Sequence, residues 1–257
     1  MAALVTGAGK RIGRAMALTL AEMGHDVAVH FASSHAEAAE TVNEIRALGQ
    51  KAVALQADLL SEEETVALVP RAADALEAPI TVLVNNASIF EYDTLSSATR
   101  ESWDRHIGSN LRAPFLLTQA MAAQMPVALG QEGGPMADGL VVNMIDQRVR
   151  KLTPEFMTYT IAKMGLWAFT RTAAQALAPR IRVNAIGPGP TMQGVRQSAE
   201  HFAAQRAATL LERGADPADI CNALRYLIGA PAVTGQLICV DGGQHLAWQT
   251  PDVLGVE

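Results

Sequence analysis

The sequence of 257 residues predicts a doubly wound α/β domain, with a mostly parallel seven-stranded sheet and helices on both faces. Seven short apolar runs alternate with longer segments in which apolar residues recur at helical spacing. The runs contain Val, Leu and Ile without polar alternation, which is typical of strands buried on both faces. Strands and helices that alternate in this way form a parallel sheet with the connecting helices packed on either side.

The predicted strands are short and follow one another along the whole chain. In order they are AALV (2–5), DVAVHF (26–31), KAVALQA (51–57), ITVLVN (80–85), GLVVNM (139–144), IRVNAI (181–186) and QLICV (236–240). Helical spacing runs through residues 11–23, 36–48 and 62–75. The Gly-rich stretch at residues 130–139 predicts a surface loop before the fifth strand, at the end of the sheet opposite the ligand crevice.

Residues 157–178 predict a long helix that is apolar almost all round. Such a helix needs burial on more than one face. One face can pack on the sheet. The remainder is either covered by another subunit or buried because the helix is central to one large core, and both interpretations stay open here.

No linker or shift in composition divides the chain, so residues 1–257 are predicted to form a single domain. The net charge of -6 argues against nucleic acid and anionic membranes as partners, since both attract basic surfaces. No apolar run approaches the roughly 20 residues that cross a bilayer, and the N-terminus lacks a signal-peptide pattern. The two cysteines, Cys221 and Cys239, lack metal-ligand spacing and are expected to be buried in a cytoplasmic protein.

The segment LVTGAGKRIGRAMA joins the first strand to the first helix. Gly7, Gly9 and Gly13 allow a tight turn and a close backbone approach, and the helix N-terminus offers unpaired N–H groups to a pyrophosphate. A glycine turn without a ligand is the alternative. The position directly after the first strand favours a Rossmann-type dinucleotide site.

The second strand ends in VHFASS, with no Asp or Glu near residues 30–34. An acidic residue there would accept hydrogen bonds from the free ribose hydroxyls of NAD, and it would repel a 2′-phosphate. Arg11 can supply positive charge to that phosphate, and Ser33 and Ser34 can supply donors. The sequence therefore predicts NADP(H) rather than NAD, although Arg11 could instead be a solvated surface residue.

Tyr159 and Lys163 are four residues apart and share one helix face. A nearby ammonium favours the phenolate, so the tyrosine pKa is expected to fall toward neutrality. Such a tyrosine can donate and accept a proton at a substrate.

With these motifs the chain resembles the short-chain dehydrogenase/reductase family over nearly its full length. The matching segments are the glycine turn at residues 6–13, NNAS at 85–88, RVNAIGPG at 182–189 and VTGQLICVDGG at 233–243. Asn110, Tyr159 and Lys163 match three of the four catalytic positions of the family, and Asp146 stands where the fourth is a serine. The resemblance implies that Asn110 holds a water beside Lys163 and that the protein is a homotetramer.

The turn chemistry and the resemblance together give a set of expected cofactor contacts. They are Gly7, Arg11, Ile12, Gly13, His30, Ser33, Ser34, Asp58, Leu59, Asn86, Ala87, Ser88, Tyr159, Lys163, Pro188 and Gly189.

Four departures from the family pattern, at Arg11, Ser88, Phe90 and Asp146, occur together and resemble the pteridine reductase branch. That resemblance implies that Phe90 stacks on a pterin over the nicotinamide and that Asp146 joins Tyr159 in proton delivery. The expected substrate contacts are therefore Ser88, Phe90, Asp146 and Tyr159. Many of those enzymes have a basic residue at the position of Ser33, which predicts a looser hold on the phosphate here.

A carboxylate at position 146 suits a pterin better than a ketone. A ketone needs only donors at its oxygen, whereas a pterin presents a ring N–H, an exocyclic amine and an imine nitrogen. A carboxylate can accept from the first two or relay a proton to the third. The alternative is that Asp146 is a strand-end residue bonded to neighbouring backbone.

The sequence thus predicts an NADPH-dependent reductase of a pterin or dihydropterin, with dihydrofolate as a further substrate. Residues 190–215 are expected to cover the substrate as a helical lid. Two alternatives remain: a reductase of ketones or sugars, and an NADP-binding subunit that has lost catalysis.

Overall fold

The computed structural model describes residues 1–125, 137–194 and 197–250. Each predicted apolar run forms a strand. The strands are β1 (Ala2–Val5), β2 (Asp26–Phe31), β3 (Ala52–Gln56), β4 (Ile80–Asn85), β5 (Gly139–Met144), β6 (Ile181–Pro188) and β7 (Leu237–Val240). The helices are α1 (Arg11–Glu22), α2 (His35–Ala47), α3 (Glu62–Leu76), α4 (Arg100–Ile107), α5 (Ala113–Gln124), α6 (Met157–Leu177), α7 (Ala199–Ala207) and α8 (Pro217–Gly229).

The strands form one sheet in the order β3-β2-β1-β4-β5-β6-β7. Every neighbouring pair is parallel. The strand order reverses direction between β1 and β4, and in such sheets the ligand crevice lies outside the carboxyl ends of the strands at that point. The predicted single domain with a parallel seven-stranded sheet is confirmed.

Two hydrophobic cores cover the two faces of the sheet. On one face α1, α2 and α8 bury side chains such as Met16, Ile45 and Leu224. On the other face α3, α5 and α6 contribute a second core that includes Leu68 and Met121. Burying one such side chain stabilises the fold by about 1.5–3 kcal/mol, so both cores contribute to the stability of the sheet that carries the strand ends.

Helix α6 is the predicted apolar helix, and the structure ends it one residue earlier than expected. Its first half buries Tyr159 and Lys163, while Ile161 and Met164 on the opposite side are 41% and 39% exposed. Residues 108–112 between α4 and α5 form a π-helix, which the sequence did not predict. Residues 130–136 of the predicted Gly-rich loop lie outside the described residues, and β5 begins at Gly139, the last residue of that stretch.

Within the described part of the chain, no helix combines the length and the apolar character needed to span a membrane. The same residues contain no group of His, Cys, Asp and Glu side chains that could hold a metal ion. Cys221 is buried as expected, but Cys239 is only half-buried because β7 lies at the edge of the sheet.

Candidate active site

The carboxylate of Asp146 lies just beyond β5 and contacts the Tyr159 hydroxyl. Its Oδ1 accepts a hydrogen bond from the Arg148 amide at 2.8 Å, which caps a short helix at residues 147–149. Its Oδ2 accepts from the Tyr159 hydroxyl at 3.0 Å. One carboxylate oxygen therefore bonds neighbouring backbone, as the strand-end interpretation expects, and the other bonds the tyrosine.

Burial and this pairing shift the pKa values of both groups. Removal from water raises the pKa of the Asp146 carboxyl, although the Arg148 amide and charge, Tyr159 and Lys163 all oppose the shift. Burial, followed by the charge and hydrogen bond of Asp146, raises the pKa of Tyr159 well above its ordinary value. The sequence-based expectation of a lowered tyrosine pKa is wrong, because desolvation and the adjacent carboxylate outweigh any ammonium nearby.

Lys163 lies one helical turn beyond Tyr159 and is 2% exposed. Its Nζ donates to the Met144 carbonyl at 2.8 Å and lies 5.6 Å from the centre of the Tyr159 ring. Burial lowers the pKa of Lys163 to about 8, although Asp146 opposes the change. The site therefore combines a protonated phenol, a carboxyl group and an amine that titrates near neutrality, which is a set of groups suited to proton delivery.

Ser88 and Asn110 form a second hydrogen-bonded pair near Tyr159. Asn110 is fully buried in the π-helix, a distortion that often occurs at functional sites. Its Oδ1 accepts from the Ser88 hydroxyl at 2.7 Å, and its Nδ2 donates to the Ile89 carbonyl at 2.8 Å. A hydrogen bond between Ser88 and Tyr159 lowers the tyrosine pKa and partly offsets the effect of Asp146.

A cluster of aromatic side chains packs beside Tyr159. Phe90 is 45% exposed, stacks on Phe156 with ring centres 4.3 Å apart, and meets Tyr159 edge-on at 4.7 Å. Tyr92 packs edge-on against Phe156 at 5.2 Å, and the Arg148 guanidinium lies 5.1 Å from the centre of the same ring. We call Phe90, Tyr92 and Phe156 the aromatic wall.

Sequence reasoning identified Phe90 but missed Tyr92, Phe156 and Arg148. The available signal was the aromatic residue Phe156 directly before the Tyr-x-x-x-Lys helix. Its left-handed backbone, with φ 54, turns the chain into α6 and could not be read from the sequence.

The glycine turn between β1 and α1 is shaped by steric limits and by His30. A Cβ on Gly13 would lie 2.2 Å from the Gly7 carbonyl oxygen, so only glycine fits there. The Gly7 amide donates to Nδ1 of His30 at 3.0 Å, and Nε2 of the same ring lies 3.0 Å from the Ala57 carbonyl. Since Nδ1 accepts, Nε2 carries the proton, and burial lowers the pKa of His30. The structure thus places His30 behind the turn as its support.

The loop after β4 is tied to the same turn. The Thr6 hydroxyl oxygen accepts from the amides of Asn86 and Ala87, each at 2.9 Å. The Asn86 side chain donates to the carbonyls of Thr6 at 2.8 Å and Gly7 at 3.2 Å. The switch point between β1 and β4 is therefore a rigid hydrogen-bonded corner.

Arg11 points toward the chain beyond β6. Its guanidinium donates to the carbonyls of Gln193 at 2.9 Å and Met192 at 3.2 Å. Ser33 is exposed, while Ser34 is half-buried beside the turn, where a Cβ on Gly9 would come within 3.0 Å of its hydroxyl oxygen. Arg11 therefore joins the glycine turn to the predicted covering segment, a contact that the sequence did not indicate.

The remaining predicted cofactor residues lie along the carboxyl edge of the sheet. Asp58 follows β3 and is exposed, with its carboxylate accepting from the Leu60 amide at 2.9 Å, whereas Leu59 is buried. Pro188 ends β6, and the Gly189 amide donates to the Val240 carbonyl at 3.0 Å. Ile12 packs its side chain into the core under α1.

Comparisons with known proteins give a family and two kinds of relatives. Residues 1–204 match the family model described as short chain dehydrogenase. The 3-oxoacyl-[acyl-carrier-protein] reductase FabG of Staphylococcus epidermidis is 33% identical over 249 residues, covering 95% of this chain and 98% of that protein.

Two solved structures are similar to the fold described above. FolM alternative dihydrofolate reductase 1 from Brucella canis, complexed with NADP, is 44% identical with a TM-score of 0.91, covering 98% of this chain and 96% of that chain. The corresponding protein from Brucella suis, also in complex with NADP, is 44% identical with a TM-score of 0.90, covering 98% and 97%.

Proposed function

We propose that this chain, which belongs to the short-chain dehydrogenase family, is an NADPH-dependent reductase of a dihydropterin, with dihydrofolate as a further substrate. The protein is an oxidoreductase that uses NADP(H). The observation that carries the choice of substrate is the hydrogen bond from Tyr159 to Asp146 at 3.0 Å beside the exposed ring of Phe90.

NADPH, when bound, would supply the hydride for a ring carbon of the pterin. The Tyr159 hydroxyl, which stays protonated because its pKa is raised, donates a proton to the neighbouring ring nitrogen. Asp146 lies within hydrogen-bonding distance of that hydroxyl, and its raised pKa lets it hold the replacing proton more readily than an exposed carboxyl. The Lys163 ammonium stabilises the negative charge that develops on the phenolate.

The aromatic wall supports a planar substrate. A ring that stacks on Phe90 has the Tyr159 hydroxyl and the Asp146 carboxyl at its edge, where the pterin carries its N–H groups and imine nitrogen. The two Brucella FolM structures are described as alternative dihydrofolate reductases, whose substrate contains a pterin ring, and this supports the same choice.

In this proposal the glycine turn holds the cofactor diphosphate, and Arg11, Ser33 and Ser34 hold the 2′-phosphate. Gly7, Gly13 and Ile12 present the start of α1, and the residues after β3, β4 and β6 contact the adenine and nicotinamide ends. The arginine at the start of α1 and the lack of an acidic residue after β2 support NADPH over NADH.

Residues 190–215 cover the substrate in this proposal, with α7 at their centre. Two of these residues, 195 and 196, lie outside the described part of the chain. The hydrogen bonds from Arg11 to Met192 and Gln193 support the assignment, since they link the covering segment to the cofactor turn. Cofactor and substrate would then be enclosed from the same side.

A homotetramer in the cytoplasm completes the proposal. Ile161 and Met164 leave an apolar strip of α6 exposed that another subunit can cover. The two free thiols, Cys221 and Cys239, fit a reducing compartment. We expect light scattering at micromolar concentration to give four times the mass of the chain, and a monomer mass would contradict this part.

A second candidate function is reduction of a 3-oxoacyl thioester. It is favoured by the 33% identity to the Staphylococcus FabG along almost the whole chain. The serine hydroxyl that the family places beside the tyrosine is replaced here by Asp146, which disfavours a simple ketone.

The deciding experiment measures NADPH oxidation with dihydrobiopterin, dihydrofolate, acetoacetyl-CoA and a panel of sugars and ketones. We expect the dihydropterin to give the highest kcat/KM. Turnover of acetoacetyl-CoA alone would support the second candidate. Tight NADPH binding without any turnover would instead contradict both.

A further inference from the structure

We propose that Asp93, His106 and Thr158 are positioning residues that fix Tyr159 relative to the aromatic wall. These three residues are 2%, 0% and 2% exposed. They come from the loop after β4, from α4 and from the start of α6. None of them matches a motif of the family resemblance, and we call them the buried relay.

Asp93 caps helix α6 from outside the helix. Phe156 at the cap position of α6 makes no side-chain hydrogen bond to the helix end. The Asp93 carboxylate instead accepts from the Thr158 amide at 3.1 Å, and the Asp93 carbonyl accepts from the Met157 amide at 3.3 Å. A carboxylate at this position satisfies unpaired amides and complements the helix dipole. Tyr159 is the next residue, so the cap acts directly on the turn that carries it.

The hydrogen bonds of the buried relay allow a single arrangement of protons. The Glu91 amide donates to Nε2 of His106 at 3.1 Å, so the ring proton is on Nδ1. Nδ1 donates to the Thr158 hydroxyl at 2.6 Å, which in turn donates to the Asp93 carboxylate. Ser102 donates a further hydrogen bond to the same carboxylate at 3.1 Å. Burial lowers the pKa of His106, which keeps the ring neutral as this arrangement requires.

The consequence is a link between two halves of the candidate site. Residues 88–93 carry Ser88 and Phe90, and the relay fastens the end of this segment to the first turn of α6. The His106 ring also packs edge-on against the Tyr159 ring, with centres 6.0 Å apart. The relay reaches no reacting atom, but it sets where the phenol stands beside the stacking face of Phe90. A displacement of about 1 Å at a proton donor can cost roughly 100-fold in rate.

Thr158→Val tests the relay, because valine keeps the volume and removes the hydroxyl that joins His106 to Asp93. This kinetic test rests on the proposed function, since it uses a dihydropterin as substrate. We expect kcat to fall about tenfold while the dissociation constant for NADPH, measured by fluorescence, stays unchanged. Thr158→Ser restores the hydroxyl and should recover kcat to within about twofold. Thr172→Val is the matched control, since Thr172 lies on the exposed side of the same helix.

The kinetic result separates positioning from simple stabilisation. If Thr158→Val lowers the melting temperature but keeps the wild-type kcat, the relay only stabilises the fold and the proposal is overturned. The same holds if Thr158→Ser fails to recover kcat while it folds normally.

Hydrogen–deuterium exchange on the NADP-bound protein separates a failure of this inference from a failure of the proposed function, because it needs no substrate. Thr158→Val should speed exchange in residues 88–93 and 157–160 together, and Thr158→Ser should not. If the enzyme reduces no pterin, the proposed function fails, and the exchange rates alone then test whether the relay positions Tyr159. If Thr158→Val leaves exchange unchanged in either segment, the positioning role of the relay is overturned.

Discussion

Two regions at the same edge of the sheet are held by different kinds of interaction. The first is the glycine turn between β1 and α1, which we propose holds the cofactor and call the cofactor turn. The second is the group of Asp146, Tyr159 and Lys163, which we propose delivers the proton and call the proton-delivery site. At the turn between β1 and α1, backbone amides and carbonyls are held by neutral partners such as Thr6, His30 and Asn86. Around Tyr159, three buried titratable groups shift one another's pKa values. Steric fit therefore restricts which residues the first region accepts, whereas the charges of buried groups determine the properties of the second.

This difference predicts how each region responds to substitution. A larger residue in the cofactor turn acts by steric collision, because its side-chain atoms would overlap with the backbone. A change in the proton-delivery site acts through proton affinity and leaves the packing nearly intact. Substitutions that separate binding from turnover therefore test the comparison directly.

The largest effect is expected at Asp146. Asp146→Asn keeps the size of the side chain and one of its two acceptor oxygens but cannot carry a proton. We expect dihydropterin turnover to fall by roughly 10²–10⁴-fold, the usual contribution of a positioned proton-transfer group. The affinity for NADPH should stay unchanged, which fluorescence titration measures.

Asp146→Ser is the companion variant, because it restores the residue that the family resemblance places here. Pterin turnover should fall similarly, while activity on simple ketones should rise. If both variants keep the wild-type pterin kinetics, Asp146 is structural and the choice of substrate loses its main support. Full turnover in the Asn variant alone would mean that Asp146 orients the ring without moving a proton.

Gly13→Ala should break the cofactor turn and spare the proton-delivery site. The added Cβ would lie 2.2 Å from the Gly7 carbonyl and 2.5 Å from the Asn86 side-chain nitrogen, so the turn must move. Overpacking of this kind costs about 1–3 kcal/mol, and we expect NADPH affinity to fall by roughly 5- to 150-fold. Gly229→Ala is the control, since nothing lies within 4 Å of its added Cβ. If both variants lose NADPH affinity to a similar extent, the steric limit at Gly13 is not what the cofactor depends on.

Arg11→Ala separates two roles of the arginine that begins α1. Loss of a charge-assisted contact with the 2′-phosphate should cost about 1.5–3 kcal/mol, or roughly one to two decades of NADPH affinity, with NADH affinity almost unchanged. If Arg11 instead serves mainly the carbonyls of Met192 and Gln193, both cofactors should weaken equally and the KM for substrate should rise. Dissociation constants for the two cofactors distinguish these outcomes.

A pH profile probes the charge of Lys163. Burial lowers the pKa of Lys163 to about 8, so the ammonium is present below that pH and lost above it. Tyr159 keeps its proton over this range because its pKa is raised. We therefore expect kcat/KM for reduction to fall above about pH 8, by about tenfold per pH unit. Lys163→Arg, if active, should abolish this fall, and a flat wild-type profile to pH 10 would contradict the assignment.

The two regions also differed in how well the sequence predicted them. Apolar runs and glycine spacing predicted every strand of the sheet and the position of the glycine turn, because these features depend on local patterns. The support of the turn by His30 depends on a hydrogen bond across 23 residues, and no local pattern encodes it.

The proton-delivery site was predicted by residue type but not by electrostatics. The spacing of Tyr159 and Lys163 placed them on one helix face, yet the pKa of the tyrosine moved in the opposite direction from the prediction. The prediction counted one neighbouring charge and could not know the depth of burial or the 3.0 Å contact with Asp146. Phe156 and the buried relay were missed for a similar reason, since tertiary packing brings their partners together.

The smallest effect is expected at Phe90, where neither steric collision nor charge is involved. Stacking of an aromatic ring contributes on the order of 0.5–1.5 kcal/mol, so Phe90→Ala should raise the KM for a dihydropterin about 2- to 12-fold. Because the side chain is 45% exposed, the melting temperature should change little beyond the loss of its contact with Phe156.

Phe115→Ala is the matched control for Phe90, because Phe115 packs against Phe169 at a centre distance of 5.1 Å outside the aromatic wall. It should lower the melting temperature and leave the KM unchanged. The reverse pattern, a large drop in melting temperature for Phe90→Ala with unchanged KM, would assign Phe90 to the packing of the fold. The aromatic wall would then support the loop after β4 rather than a substrate ring, and the choice of a planar substrate would depend on Asp146 alone.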